Sequence, residues 1–250
     1  MPNLNIVVPM AGEGSRFAQQ GYSFPKPLIQ MPDGNPMIKS VIDCVNIHGA
    51  SWHFIVRQEH VDRYKVDQVL DRMLEKYHPV MVNYTVVNET TEGAACTVLL
   101  TRDYIDKEDS QLLVVNSDQY FRWDPQSFFY EMEEQKANAG ILTFKSWHPK
   151  WSFAKVDVNG RVTHVAEKDP ISDNATVGVY WWKKGSDFVA AADEMIRLNL
   201  RVNGEFYVAP TFNNLNGPIY PYEVSFMAGV GTPEDLRKFE MMYWLGKVPQ

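Results

Sequence analysis

The chain has little cysteine, no long apolar run and no surplus of positive charge. Its 250 residues include two cysteines, Cys44 and Cys96, far apart in the sequence. This excludes a disulfide scaffold and a cysteine-rich zinc site. No stretch approaches the about 20 consecutive apolar residues of a membrane span, and residues 1–5 lack the basic start of a signal peptide. We therefore expect a cytoplasmic protein without a membrane partner.

The charge balance restricts the partners further. The chain has 24 Lys and Arg against 31 Asp and Glu, a formal net charge of -7. Nucleic acid is bound mainly through an excess of Lys and Arg on one surface, so no nucleic-acid partner is expected. A phosphorylated ligand would have to be held by a few local donors instead. With 45% apolar residues, the chain can form a sizeable core.

The first half of the sequence alternates between two hydrophobic periods. Strand-like runs are found at residues 4–9, 52–56, 80–87 and 111–115, with helical spacing at 37–47, 61–77 and 92–100. We expect Thr90 or Thr91 to cap the last of these helices. Strands that alternate with helices predict a doubly wound, mostly parallel, Rossmann-like α/β sheet.

The second half has a different pattern. Strand-like runs at residues 139–144, 153–158, 162–165 and 175–182 follow one another, and helices return only at 186–198 and 233–245. The dipeptide Asn159-Gly160 predicts a hairpin turn. No Ser/Gly-rich linker and no repeat divides the chain. We therefore expect one domain over residues 1–250, with halves 1–135 and 136–250 and a small antiparallel insert in the second half.

The most informative segment is VVPMAGEGSRF at residues 7–17, followed by FPKPL at 24–28. Gly12 and Gly14 allow backbone N–H groups to approach a phosphate closely. Arg16 can bind phosphate oxygens in a bidentate manner, and Lys26 adds a movable point charge. The loop lacks the Gly-Lys-Ser/Thr of a Walker A loop, and Phe17 stands where the dinucleotide fingerprint has a third Gly. Two glycines alone would equally suit a surface turn, but the full string indicates a different anion-binding loop.

This string resembles the signature of the sugar-phosphate nucleotidyltransferases, or NDP-sugar pyrophosphorylases, in their short form from capsule and surface-sugar loci. The resemblance covers nearly the whole chain and implies a GT-A-type sheet. It implies the reaction of an NTP with a sugar 1-phosphate to give an NDP-sugar and pyrophosphate, with Mg²⁺. Phosphocholine-like acceptors occur in a sister group with the same first loop.

The resemblance also implies roles for residues of this loop. Backbone contacts to the nucleotide are implied for Met10, Ala11, Gly12 and Gly14. Arg16 would hold the triphosphate and the leaving pyrophosphate. Lys26 would lie between the α-phosphate and the incoming sugar phosphate.

Two later segments complete the implied nucleotide site. Asn88 and Gly93 match the segment that reads the base, although a helix-capping turn would explain them too. Asp118 follows the buried run 111–115, and ligands of open parallel sheets bind at such strand ends. A carboxylate there suits Mg²⁺, which takes one or two carboxylates together with phosphates. Asp118 is therefore the implied metal ligand.

Acceptor contacts are implied at five positions of the second half: Ser152, Glu167, Lys168, Gly178 and Glu205. An exposed charged turn or ordinary packing would also account for them. Four tryptophans, Trp147, Trp151, Trp181 and Trp182, lie near these positions, where aromatic rings serve a core as often as a sugar.

One position departs from the family pattern. Members usually have Asp two residues before a late Gly-Thr, which is Gly231-Thr232 here, so Gly229 stands in its place. Either one carboxylate and the substrate phosphates suffice, or Glu223 or another acid takes over, or the chemistry is altered.

Two other functions remain open from the sequence. A glycosyltransferase that consumes an NDP-sugar would use a related sheet, but its Asp-x-Asp is Asn116-Ser-Asp118 here, and Arg16 and Lys26 would be unexplained. A nucleotide-sugar-binding module without catalysis is the other possibility. The apolar segment 241–245 would permit a homodimer.

Overall fold

A computed structural model describes residues 3–249 of the chain. The strands are β1 Leu4–Pro9, β2 Ser51–Arg57, β3 Met81–Val87, β4 Gln111–Val115, β5 Gln119–Arg122, β6 Ala139–Lys145, β7 Ser152–Val156, β8 Val162–Glu167, β9 Asn174–Trp182, β10 Ile219–Glu223 and β11 Phe226–Gly229. The α-helices are α1 Ser15–Gln19, α2 Met37–Val45, α3 Gln58–Tyr64, α4 Val66–Leu74, α5 Ala94–Leu99, α6 Arg102–Ile105, α7 Pro125–Glu134, α8 Gly185–Arg197 and α9 Pro233–Trp244. Short 3₁₀ helices lie at Lys26–Leu28, Glu75–Tyr77 and Ala209–Asn214.

The main sheet has the strand order β10-β6-β9-β4-β1-β2-β3. Its pairs are parallel except that β9 runs antiparallel to both β4 and β6. The β7–β8 hairpin attaches to β9 through β7, and β5 and β11 form a separate two-stranded antiparallel sheet. The predicted mostly parallel α/β sheet with a small antiparallel part is confirmed. Because β9 lies between β4 and β6, one sheet runs through both halves of the chain.

Both faces of the sheet are covered, which explains why its central strands are apolar at successive positions. Along β1, Ile6 and Val8 pack in a cluster with α2, α4 and α7, whereas Val7 packs in a second cluster with α5 and α8. Trp181 and Trp182 are buried in these two clusters, so they serve the core. No helix between residues 3 and 249 has the length and apolar character needed to cross a bilayer.

The helix predicted over residues 61–77 is wrong as one element. The segment folds as α3, α4 and a 3₁₀ helix, and the break falls at Lys65, whose φ is 52°. A left-handed residue ends one helix and starts the next in a new direction. The buried residues of α4 (Val66, Leu70 and Leu74) keep helical spacing on their own, so periodicity alone did not reveal the break.

The cap predicted at Thr90 or Thr91 is also wrong. Gly93 is the N-cap of α5, and the Thr91 hydroxyl donates a hydrogen bond to the Gly93 carbonyl over 2.8 Å. Helix α7 was not predicted, although Asp124 caps it and Pro125 occupies its first turn, a recognised start signal. The hairpin turn predicted at residues 159–160 is confirmed. The Thr232 side chain caps α9 by accepting a hydrogen bond from the Asp235 N–H.

Candidate active site

A cavity of about 520 Å³ opens where β1 and β4 end, and residues of both halves of the chain line it. The carboxyl ends of parallel strands are the usual ligand site of an open α/β sheet. Nine of the residues predicted for the site line this cavity: Gly14, Arg16, Lys26, Asp118, Ser152, Glu167, Lys168, Gly178 and Glu205.

The glycine loop and the FPKPL segment meet at one wall of the cavity. Gly14 has a φ of 62° at the start of α1, and a Cβ added there would lie 3.1 Å from the Cβ of Lys26. A side chain at this position would be strained in its backbone and would press on Lys26. Glycine therefore allows the two segments to pack together, with Arg16 exposed beside them.

Lys26 forms an ion pair with Asp118 across 92 residues of sequence. Lys26 Nζ lies 2.5 Å from Asp118 Oδ2, and both side chains are 22% exposed. The Asp118 carbonyl also accepts a hydrogen bond from the Val230 N–H at 3.0 Å, which anchors this loop to the end of β11. A cation and a carboxylate thus face the same cavity as Arg16.

The β7–β8 hairpin positions two of the predicted acceptor residues. Ser152 and Glu167 are direct partners in its register, and the Ser152 hydroxyl donates a hydrogen bond to Glu167 Oε2. Burial raises the pKa of the Glu167 carboxyl above its ordinary value, and the bond from Ser152 and the charge of Lys168 oppose that shift. Glu167 is therefore a partly desolvated acceptor at the cavity wall.

We expect Glu167→Gln to gain stability relative to the native protein as pH rises. Folding raises the pKa of this carboxyl, so the ionised form destabilises the folded state. The loss of folding free energy therefore begins near the ordinary pKa of 4.5 and grows as pH rises. The melting-temperature difference between variant and native protein, followed from about pH 4 to pH 8, checks this. Glu205→Gln is the control because that side chain is exposed at the same cavity. A difference that does not change with pH would contradict the expectation.

Two further predicted acceptor residues, Lys168 and Gly178, also line the cavity. Lys168 Nζ donates to the Tyr207 hydroxyl over 2.5 Å and lies 4.6 Å from the centre of that ring. Gly178 has a φ of 88°, and a Cβ there would lie 2.5 Å from Asn116 Nδ2. Glycine therefore lets β9 pass close to the loop that carries Asp118.

Five residues predicted to bind the nucleotide do not line the cavity: Met10, Ala11, Gly12, Asn88 and Gly93. Met10 and Ala11 are buried, and the Met10 N–H is already donated to the Ile55 carbonyl at 3.0 Å. Gly12 and Asn88 are exposed. Gly93 packs against the backbone of Phe206. The structure thus gives Met10 and Gly93 structural contacts, while the base-reading prediction stays a prediction.

Sixteen lining residues were not predicted as site residues: Ser15, Phe17, Ala94, Asn116, Gln119, Lys150, Trp151, Thr176, Tyr180, Tyr207, Val208, Ala209, Gly229, Gly231, Thr232 and Asp235. Trp151 is one of the four tryptophans that lie near the predicted acceptor positions in the sequence. It lines the cavity, whereas Trp181 and Trp182 are buried in the core. Asn116 lies in the same short segment as Asp118. Nothing local in the sequence indicated Lys150 or Asp235.

The structure explains the glycine at position 229. A Cβ added to Gly229 would lie 2.6 Å from Cη2 of Trp151, so the indole ring occupies the room of a side chain there. Glu223 is exposed on β10 and does not line the cavity, so it does not replace the missing acid. Asp235 does line the cavity, but both of its carboxylate oxygens are engaged, by Lys150 and by Thr232.

We expect Gly229→Ala to lower the melting temperature by a few degrees. Overpacking costs about 1–3 kcal/mol, and each kcal/mol shifts the melting temperature of a chain of this size by about 2–4 °C. The double variant Gly229→Ala/Trp151→Gly is the check, because it removes the ring that the new methyl group meets. If Gly229→Ala lowers the melting temperature of the Trp151→Gly variant as much as that of the native protein, the clash with the indole ring is not the cause.

The oxygen donors of the cavity fit a hard cation that is held mainly by the phosphates of its substrates and by only one protein carboxylate. Among residues 3–249, no group of three or more His, Cys, Asp or Glu side chains comes together to hold a metal. Asp118 offers one carboxylate at the cavity wall, and Mg²⁺ commonly uses one or two carboxylates together with substrate phosphates.

The site thus combines a glycine-containing loop, two cations and a carboxylate at the strand ends of an open, mostly parallel α/β sheet. The sequence model of the nucleotidyl transferase family matches residues 6–201. The chain belongs to this family. None of the proteins with a curated function matches the sequence significantly.

Solved structures share the fold over almost their full length. A nucleoside-diphosphate-sugar pyrophosphorylase from Vibrio cholerae is 24% identical with a TM-score of 0.77, covering 94% of this chain and 99% of its own. A UDP-glucose pyrophosphorylase complexed with UDP-glucose is 13% identical with a TM-score of 0.73, over 97% and 98%. The inositol-1-phosphate CTP transferase from T. maritima is 14% identical with a TM-score of 0.70, over 97% and 95%.

Proposed function

We propose that this protein transfers a nucleotidyl group from an NTP to a sugar 1-phosphate, or to a similar phosphorylated small molecule, and releases pyrophosphate. The observation that carries the proposal is the convergence of Arg16, Lys26 and Asp118 on one cavity, with Lys26 and Asp118 2.5 Å apart. These residues come from three separate segments, and a glycosyltransferase would leave the two cations without an assigned role.

The residues suit an in-line displacement between two anions. An oxygen of the acceptor phosphate attacks the α-phosphorus, the bond to the bridging oxygen breaks, and pyrophosphate leaves with that electron pair. Lys26 would neutralise the two phosphates that approach each other, and Arg16 would bind the departing pyrophosphate. Fixed cations that meet developing charge lower such a barrier without a covalent intermediate.

Asp118 is the residue that would hold Mg²⁺. The ion would supply Lewis-acid charge on the phosphate oxygens when bound. Because Lys26 is paired with Asp118 in the structure, Asp118 would exchange one cation for another as substrates arrive. Glu167, Lys168 and Glu205, which line the same cavity, would contact the acceptor.

Thermal-shift measurements with CTP, UTP, dTTP, GTP and ATP, each with and without Mg²⁺, test the proposal. A ligand at 100 times its Kd stabilises the fold by about 2.7 kcal/mol, which corresponds to about 5–11 °C for a chain of this size. We expect a response to one or two triphosphates that Arg16→Ala loses. Pyrophosphate release with a set of phosphorylated acceptors then identifies the second substrate.

The same measurements separate the alternatives. A response to NDP-sugars but to no triphosphate would favour the glycosyltransferase. Binding of triphosphates without pyrophosphate release from any phosphorylated acceptor would favour the binding module.

A further inference from the structure

One part of the cavity rim contains none of the predicted site residues. It is formed by the loop before β7 and the start of α9, and it includes Lys150, Trp151, Thr232 and Asp235. We propose that Lys150 is a third phosphate-binding cation of this site and that its ammonium group binds the leaving pyrophosphate. This inference rests on the proposed nucleotidyl transfer and adds a residue to it.

Two contacts hold Lys150 at this rim. Its Nζ lies 2.5 Å from Asp235 Oδ1 and 4.4 Å from the ring centre of Trp151. Asp235 is itself fixed, because its other oxygen accepts a hydrogen bond from the Thr232 hydroxyl at 2.8 Å and its side chain is only 12% exposed. An ammonium group has three N–H donors, so Lys150 keeps donors for a ligand while Asp235 holds it in place.

The rim lies at the Arg16 end of the cavity. Phe17, the neighbour of Arg16 in α1, packs in one hydrophobic cluster with Val230 and Leu236, which flank the start of α9. Helix α1 and the N-terminal end of α9 are therefore adjacent. Lys150 reaches this corner from the hairpin side, so a phosphate bound by Arg16 would lie close to its ammonium group.

The rim is built around the Trp151 ring. That ring fills the room that a side chain at position 229 would need, and Lys150 lies over the same ring. The carboxylate of this rim, Asp235, is engaged by Lys150 and Thr232, so the ammonium group is the charge that the rim offers to a phosphate. A fixed ammonium group can compensate phosphate charge directly.

Calorimetric titration of inorganic pyrophosphate in EDTA tests the inference, because side-chain cations then carry the binding. We expect Lys150→Met to weaken pyrophosphate binding tenfold or more, since the lost hydrogen bond joins two charged groups. Lys150→Arg should keep most of the affinity. Lys155→Met, an exposed lysine on β7 outside the cavity, is the matched control and should bind as the native protein does.

The outcomes separate this inference from the proposed function. Equal pyrophosphate affinity in Lys150→Met and native protein overturns it, and a loss in Lys150→Arg as large as in Lys150→Met does so too, because charge would then not be the cause. In both cases binding of an NTP by the native protein leaves the proposed transfer intact. If the native protein binds neither pyrophosphate nor any NTP, the proposed function fails and the inference fails with it. Melting temperatures confirm that each variant is folded.

Discussion

Replacing Lys26 by Ala is expected to lower turnover by about 10²- to 10³-fold while weakening nucleotide binding much less. The expectation follows from the position of the ammonium group, 2.5 Å from Asp118 in the cavity that Arg16 also lines. A charge that meets both phosphates is needed most when they approach each other, so its loss affects the transition state more than the bound nucleotide. Rates of pyrophosphate release and the thermal shift caused by the NTP measure the two effects separately.

Lys39→Ala is the matched control for this variant. Lys39 pairs with Asp43 on α2, is 21% exposed against 22% for Lys26, and lies outside the cavity. It should change the melting temperature to a similar extent and leave turnover unchanged. Equal losses of turnover and binding in Lys26→Ala, or no loss of either, would contradict the role assigned to Lys26.

Gly93→Ala is expected to destabilise the fold by about 3–5 kcal/mol, the sum of backbone strain and overpacking. Gly93 has a φ of 138°, and a Cβ there would lie 2.5 Å from the Phe206 nitrogen and 2.8 Å from its carbonyl carbon. Phe206 cannot move away easily, because its N–H bonds to Glu92 O at 2.9 Å and its carbonyl accepts from the Ala95 N–H at 3.0 Å. Urea denaturation measures the loss of unfolding free energy directly. In a thermal scan we expect a melting temperature lower by about 10 °C.

Gly12→Ala is the control for the glycine prediction. A Cβ at Gly12 has no atom within 4 Å, so its stability should be close to that of the native protein. If Gly93→Ala yields too little folded protein for denaturation, its soluble yield beside that of Gly12→Ala carries the comparison. Equal stability of the two variants would show that the backbone near Gly93 relaxes and would contradict the prediction.

The part of the cavity lining that carries Arg16, Lys26 and Asp118 could be predicted because its chemistry is concentrated in short segments. Gly14, Arg16 and Lys26 lie within 13 residues of one another, and Asp118 lies three residues after the apolar run of β4. Spacing, residue type and the strand-end rule were sufficient to bring them to one place. Asn88 shows the limit of such reasoning, because it also follows a strand and yet is exposed outside the cavity lining.

The rim around Lys150 could not be predicted from the sequence. It depends on a hairpin, on the short β5–β11 pairing and on α9, whose residues are more than 80 positions apart along the chain. Their alignment is set by side-chain packing in the cluster of Phe17, Val230 and Leu236. Residue types alone gave no sign that Trp151 would fill the space beside Gly229.

The sequence by itself determined the alternation of strands and helices, the glycine-containing loop with its two nearby cations, and the absence of an acid at position 229. These features are local, since they depend on hydrophobic period, backbone freedom and residue chemistry. Only the tertiary structure decided that β9 runs antiparallel inside the sheet, that Lys65 divides a helix, and that an indole ring with an ammonium group over it occupies the space beside Gly229. These features depend on contacts between residues distant in the chain, which are fixed by close packing and by the competition of polar groups for partners.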